Sequence, residues 1–121
     1  MYEITEIDIS AQETIPAPTG FRVLIAVPSI EEKTAGGVIR PDNLRTLEKT
    51  ASIFGVVVAL GPDAYKNEER FPSGPWCKKG DWVLFRSYSG TRFRVEGQEF
   101  RVINDDTVEA VVDDPRKVER A

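Results

Sequence analysis

The sequence predicts a mainly β protein, a small β-barrel. Three observations carry this reading. Apolar runs rich in Val, Ile and Phe are short, and each is bounded by Gly, Pro or Asn-Asp turn signals. No stretch repeats its apolar residues at helical spacing for more than a few residues. Near the end of the chain, Glu96-Gly97 separates two alternating runs in the manner of a tight hairpin. Short strands at intervals, interrupted by two long excursions, suit a small barrel better than a layered α/β fold.

The elements follow in order. Residues 1–20 read as an N-terminal extension: Tyr2, Ile4, Ile7 and Ile9 give a weak edge-strand pattern, and "IPAPTG" (Ile15 to Gly20) is a stiff connector. "FRVLIAV" (Phe21 to Val27) is the first core strand, ended by Pro28. A long connection occupies residues 29–51. "SIFGVVVALG" (Ser52 to Gly61) is the second strand, nearly continuous in apolar residues, with Gly55 expected to mark a bulge or bend. Residues 62–80, with three prolines and two glycines, form a hairpin-like excursion with short strands at best. "DWVLFRS" (Asp81 to Ser87) is a third core strand, Val83 and Phe85 facing one side and Trp82 and Leu84 the other. Thr91–Val95 and Gln98–Ile103 make a hairpin in which Gly97 supplies the positive φ of the turn. Thr107–Val112 is the last strand, after a turn at Asn104-Asp105-Asp106. Residues 113–121 are a charged tail with room for one helical turn.

Composition narrows the chemistry. A chain of 121 residues with 40% hydrophobic and 30% charged residues suits one soluble domain, and self-association would add to its modest core. The formal charge of −4 argues against a phosphate-binding surface. There is no histidine, which removes the imidazole base of the common nucleophile systems and most zinc ligand sets. No metal or cofactor site is expected. The single cysteine, Cys77, cannot form an intrachain disulfide and reads as a small apolar filler in a reducing compartment. The acidic N-terminus does not look like a signal peptide, and runs such as "VVVAL" are too short to cross a bilayer.

Other constellations read most simply as structure. "TAGG" (Thr34 to Gly37) lacks the strand–loop–helix context of a phosphate cradle. "KKGD" (Lys78 to Asp81) is a turn, and the Asp105-Asp106 and Asp113-Asp114 pairs are turn and tail chemistry rather than a cation site. Tyr88, Arg92, Phe93 and Arg94 interleave aromatic and basic residues, as a β face for single-stranded nucleic acid would. That is the alternative function; the simpler reading is a strand alternating between core and solvent.

The connection "EEKTAGGVIRPDNLRTLEKTA" (31–51) asks for more than a turn, because it sets bare Val38 and Ile39 behind two glycines in an otherwise charged, proline-broken run. With "RVLIAV" before it and "GVVVALG", "KKGDWVLF", "YSGT" and "TVEAVV" after it, the order of pieces from Phe21 to Val112 resembles the GroES-like co-chaperonin (chaperonin-10) family. The N-terminal extension and the long region before "KKGD" also resemble the divergent members carried by bacteriophages. The resemblance implies a partly open barrel, assembled as a homo-oligomeric ring, a heptamer, that caps a GroEL-like chaperonin in the cytoplasm while the partner binds ATP. It implies no catalytic residues, no cofactor and no membrane. It makes 29–51 a mobile loop in which Gly36, Gly37, Val38, Ile39 and Arg40 contact the chaperonin. Arg40 departs from the aliphatic third position of the family tripeptide; either its stem lies on apolar surface, or Leu44 or Leu47 supplies the third anchor. Residues 62–80 become a roof carrying Tyr65, Phe71 and Trp76. The first and last core strands, Phe21–Val27 and Thr107–Val112, become the edges that pair between subunits.

Overall fold

The computed structural model describes residues 3–4, 15–28, 30–31, 52–118 and 121. Its strands are β1 (Glu3–Ile4), β2 (Arg22–Val27), β3 (Ile30–Glu31), β4 (Phe54–Leu60), β5 (Trp82–Leu84), β6 (Thr91–Val95), β7 (Gln98–Asn104) and β8 (Ala110–Val112). Helix is confined to two 3-10 turns among the described residues, Asp105–Thr107 and Pro115–Lys117. β1 and β3 form a separate antiparallel pair, while the other six make one sheet in the order β6-β7-β2-β4-β5-β8. Every neighbour in that sheet is antiparallel, and the margins β6 and β8 do not meet, so the sheet stays open as a partly formed barrel would.

β2 explains its own position. Its run "VLIAV" is buried without a break, as a strand covered on both faces requires. Val23 and Ile25 point into a core shared with Val57, Val83, Phe85 and Ile103. Leu24 and Ala26 point the other way, onto Phe100, with Phe93, Val56 and Val102 around them. Each fully buried aliphatic side chain contributes about 1.5–3 kcal/mol. β2 uses both hydrogen-bonding sides within the subunit, pairing β7 on one and β4 on the other. The expectation that Phe21–Val27 offers an edge to a neighbouring copy is therefore corrected: among the described residues the outer strands of this sheet are β6 and β8.

Two further expectations change. Gly55 does not mark the irregularity in β4. The register slips between Leu24–Ala59 and Ile25–Val57, which leaves Val58 as the extra residue of a bulge. Gly55 is instead a close approach, where a Cβ would collide with Ile25 Cγ2 and the Ala26 carbonyl oxygen. The last strand is shorter than Thr107–Val112. Asp105–Thr107 is held as a turn because the Asp105 N–H donates to the Phe21 carbonyl at 3.1 Å, and pairing with β5 resumes only at Ala110.

Three expectations hold in detail. The third core strand is shorter than Asp81–Ser87, but its sidedness holds: Val83 in β5 and Phe85 just after it are buried, whereas Trp82 and Leu84 on the other face are only half-buried. The hairpin turn has positive φ at both central positions, Glu96 (+49°) and Gly97 (+86°), the primed geometry that matches strand twist. The tail forms one 3-10 turn, opened by Asp114, whose carboxylate accepts from Arg116 N at 3.1 Å.

Candidate functional site

The 29–51 connection enters and leaves the fold at two described points. On the entry side, Ile30–Glu31 pairs with Glu3–Ile4 in the register Glu3–Glu31 and Ile4–Ile30, and the Pro115–Lys117 turn lies beside β1. On the exit side stands Ser52, one residue before Ile53, whose carbonyl accepts from Phe85 N at 2.8 Å. The chaperonin-contact residues expected from sequence, Gly36, Gly37, Val38, Ile39 and Arg40, and the alternative anchors Leu44 and Leu47, lie outside the described residues.

A residue that sequence reasoning did not single out dominates the exit side. Arg101, on β7, is fully buried. Its Nη1 donates to the carbonyls of Ser52 (3.2 Å), Arg86 (3.3 Å) and Ser87 (2.8 Å), and its guanidinium carbon stands 5.1 Å from the Phe85 ring centroid. Nε and Nη2 are buried without a hydrogen-bond partner. Burial, followed by the like charge of Arg92, makes the guanidinium easier to deprotonate than a solvated one. The signal was in the sequence: in a strand of period two, Arg101 shares a face with Ile103, which points into the core.

The 62–80 excursion is turns throughout, with no strand. It folds back onto the sheet. Tyr65 and Phe71 are buried in the first core, in edge-to-face contact at 4.9 Å, and only Trp76 of the three aromatics is exposed, packing edge-on against Phe71. The Tyr65 hydroxyl donates to the Asp105 carbonyl at 2.8 Å and lies 3.4 Å from Cys77 Sγ. Since its one proton goes to Asp105, the thiol is the donor in the second contact. Burial pushes the Tyr65 phenol well up and raises the Cys77 thiol too, so both are neutral. Cys77 is thus the apolar filler its sequence suggested. Arg70, stacked on Phe71, pairs with Asp106 at the surface.

The four residues of the nucleic-acid alternative do not share a surface. Phe93 stacks on Phe100 at 5.6 Å in the second core. Arg92 and Arg94 alternate onto the opposite face of β6, where both reach Glu99, at 2.9 and 3.8 Å. Tyr88 projects into solvent from the turn after β5. No cluster of three His, Cys, Asp or Glu side chains suits a metal ion among the described residues.

Comparison with known proteins bears on the whole sheet. The profile of the chaperonin 10 kDa subunit family matches residues 16–112. A co-chaperonin GroES of Lactobacillus helveticus is 39% identical over 95 residues, 78% of this chain and 95% of that relative. A co-chaperonin GroES of Corynebacterium diphtheriae is 35% identical over 96 residues, 79% of this chain and 92% of that relative. A third, from Lactobacillus acidophilus, is 38% identical over 95 residues.

Proposed function

Because the chain belongs to the chaperonin 10 kDa subunit family, we propose that it is a co-chaperonin that assembles as a homo-oligomeric ring and caps a GroEL-like chaperonin. The observation that carries the reading is the family match across the whole sheet, from the connector before β2 to the end of β8. In this reading the ring is a heptamer working in the cytoplasm, that of the host where the gene is carried by a phage. The partner binds and hydrolyses ATP, and this chain supplies no catalytic chemistry and no cofactor.

The contact follows from the side chains available. Gly36 and Gly37 allow a sharp backbone path, and Val38 and Ile39 fill apolar pockets of the partner. Burying them returns about 1.5–3 kcal/mol each. Arg40 lays its stem on the same surface with its charge outward, or Leu44 or Leu47 takes the third pocket. One such contact is weak, and a ring makes it useful: after the first segment docks, the rest bind at high effective concentration. Weak single contacts also allow release when the partner changes conformation.

Size-exclusion with light scattering, with and without a GroEL-like chaperonin and ATP, tests the reading. A ring that comigrates with the nucleotide-loaded chaperonin is expected, and Ile39→Asp should abolish comigration while leaving the ring intact. A wild-type protein that stays monomeric and ignores the chaperonin overturns the proposal.

A further inference from the structure

Arg101 is costly where it sits. It is fully buried, and two of its three nitrogens have no acceptor. The groups facing it do not compensate. Arg92 stands opposite on β6 with the same charge, and Phe85 offers a ring face. Glu99, two residues away on the same face of β7, is engaged by Arg92 and Arg94. A leucine would fill this position with less penalty. The arrangement therefore points to something other than stability, and the one part of the guanidinium that is used says what. Nη1 gathers carbonyls from two segments distant in sequence: Ser52, at the exit of the 29–51 connection, and Arg86–Ser87, the turn after β5.

We infer that Arg101 is a positioning residue, which fixes the Ser52 end of the 29–51 connection against the Arg86–Ser87 turn and so sets where the chaperonin-contacting segment leaves the subunit. The functional part of this inference rests on the co-chaperonin reading. Phe85 N donates to the Ile53 carbonyl at 2.8 Å, which ties the residue after Ser52 to the end of β5. Arg101 extends the hold one residue outward. All three carbonyls belong to exposed or half-buried residues, so water replaces the guanidinium when it is removed, and the sheet survives.

The test uses Arg101→Leu and Arg101→Lys in the full-length ring. For Arg101→Leu, the melting temperature should equal or exceed that of the wild type and the ring mass should be unchanged. Its apparent affinity for a nucleotide-loaded GroEL-like chaperonin should fall at least tenfold, because a small loss at each segment multiplies around the ring. Tryptic cleavage after Arg45 and Lys49, measured without chaperonin, should accelerate several-fold. Arg101→Lys, which keeps donors near the carbonyls, should recover part of both effects. Unchanged affinity and cleavage in Arg101→Leu overturn the inference. So does a fall in affinity that merely tracks a fall in melting temperature, which is what a purely structural arginine would give. Should Arg101→Leu not fold, Arg101→Met, with a longer unbranched stem, is read in the same way. If the wild-type ring ignores the chaperonin, the co-chaperonin reading fails, and the cleavage rates still decide the role of Arg101.

Discussion

Tyr65 and Asp105 bind each other twice: the phenol donates to the Asp105 carbonyl at 2.8 Å, and the Asp105 carboxylate accepts from the Tyr65 N–H at 3.0 Å. The pair is forty residues apart in sequence. It clamps the 62–80 excursion to the end of β7 and holds Tyr65 at a φ of +58°, which a bulky residue adopts only when its surroundings enforce it.

Tyr65→Phe is therefore expected to destabilise the subunit by about 1–2 kcal/mol, the cost of leaving a buried carbonyl and a buried thiol without a partner while the ring packing stays. Asp105→Ala should cost at least as much, since it strands the Tyr65 N–H. Urea unfolding of each variant and of the double mutant reads the values. Because the two residues share bonds, the double mutant should lose less than the sum.

Alkaline pH acts on the same cluster. The folded-state pKa of the Tyr65 phenol lies above its unfolded value, raised first by burial and then by Cys77. Its contribution is fully present below the unfolded pKa of about 10 and is lost as the pH rises beyond it. Cys77, also raised by burial, has the same sign and begins to act above about pH 8.5. Stability should thus fall with increasing pH from about 8.5 upward, more steeply above about 10. Cys77→Ala should flatten the first part of the slope and Tyr65→Phe the second, as followed by urea midpoints at each pH.

Gly55→Ala tests a close approach between two central strands of the sheet. The added methyl would meet Ile25 Cγ2 and the Ala26 carbonyl, and the carbonyl belongs to a strand fixed on both sides. Overpacking of this kind costs about 1–3 kcal/mol. The measured loss should exceed that of Gly74→Ala, where no atom lies within 4 Å of the new Cβ and only the positive φ resists. Equal losses at the two positions would mean that β2 and β4 yield more readily than their packing implies.

The strands' places along the chain were legible wherever alternation, an apolar run or a turn residue fixed them. The Glu96-Gly97 hairpin follows from its turn residues, the continuous burial of β2 from its unbroken apolar run, and the two-sided division around β5 from period-two patterning. What local pattern did not carry was long-range competition. Asp105 looked like part of a polar turn before a strand, but bonds to Phe21 and Tyr65 turned the next residues into a 3-10 turn and shortened β8. Tyr65 and Phe71 looked like an aromatic roof, but the excursion folds both into the core and leaves Trp76 outside. The family resemblance implied an edge role for β2, and the pairing of both β7 and β4 with it places it in the interior of the sheet. Arg101 was visible as the wrong residue type on the inward phase, a signal that a charge in a strand otherwise read as solvent-facing conceals.

The last prediction concerns the margin at β8. Val111 is 47% exposed on a three-residue strand whose inner side pairs β5. Bare strand edges invite pairing with another chain, and β2 has no side left to offer, so assembly of the proposed ring should run through β8. Val111→Lys places a charge where a neighbour would pack. In an isolated subunit a surface substitution of this type changes stability by no more than about 0.5 kcal/mol. In a ring, the same lysine must be desolvated once per interface, and the closed assembly multiplies the penalty. The expected outcome is a shift from ring to monomer in light scattering, with nearly unchanged urea unfolding of the monomer. Chaperonin capture should fall steeply although residues 36–40 are untouched, because single contacts lose the effective concentration that the ring supplied. A ring that persists in Val111→Lys would move the subunit contact to the β6 margin, where Arg92→Glu would then be the variant that dissolves it.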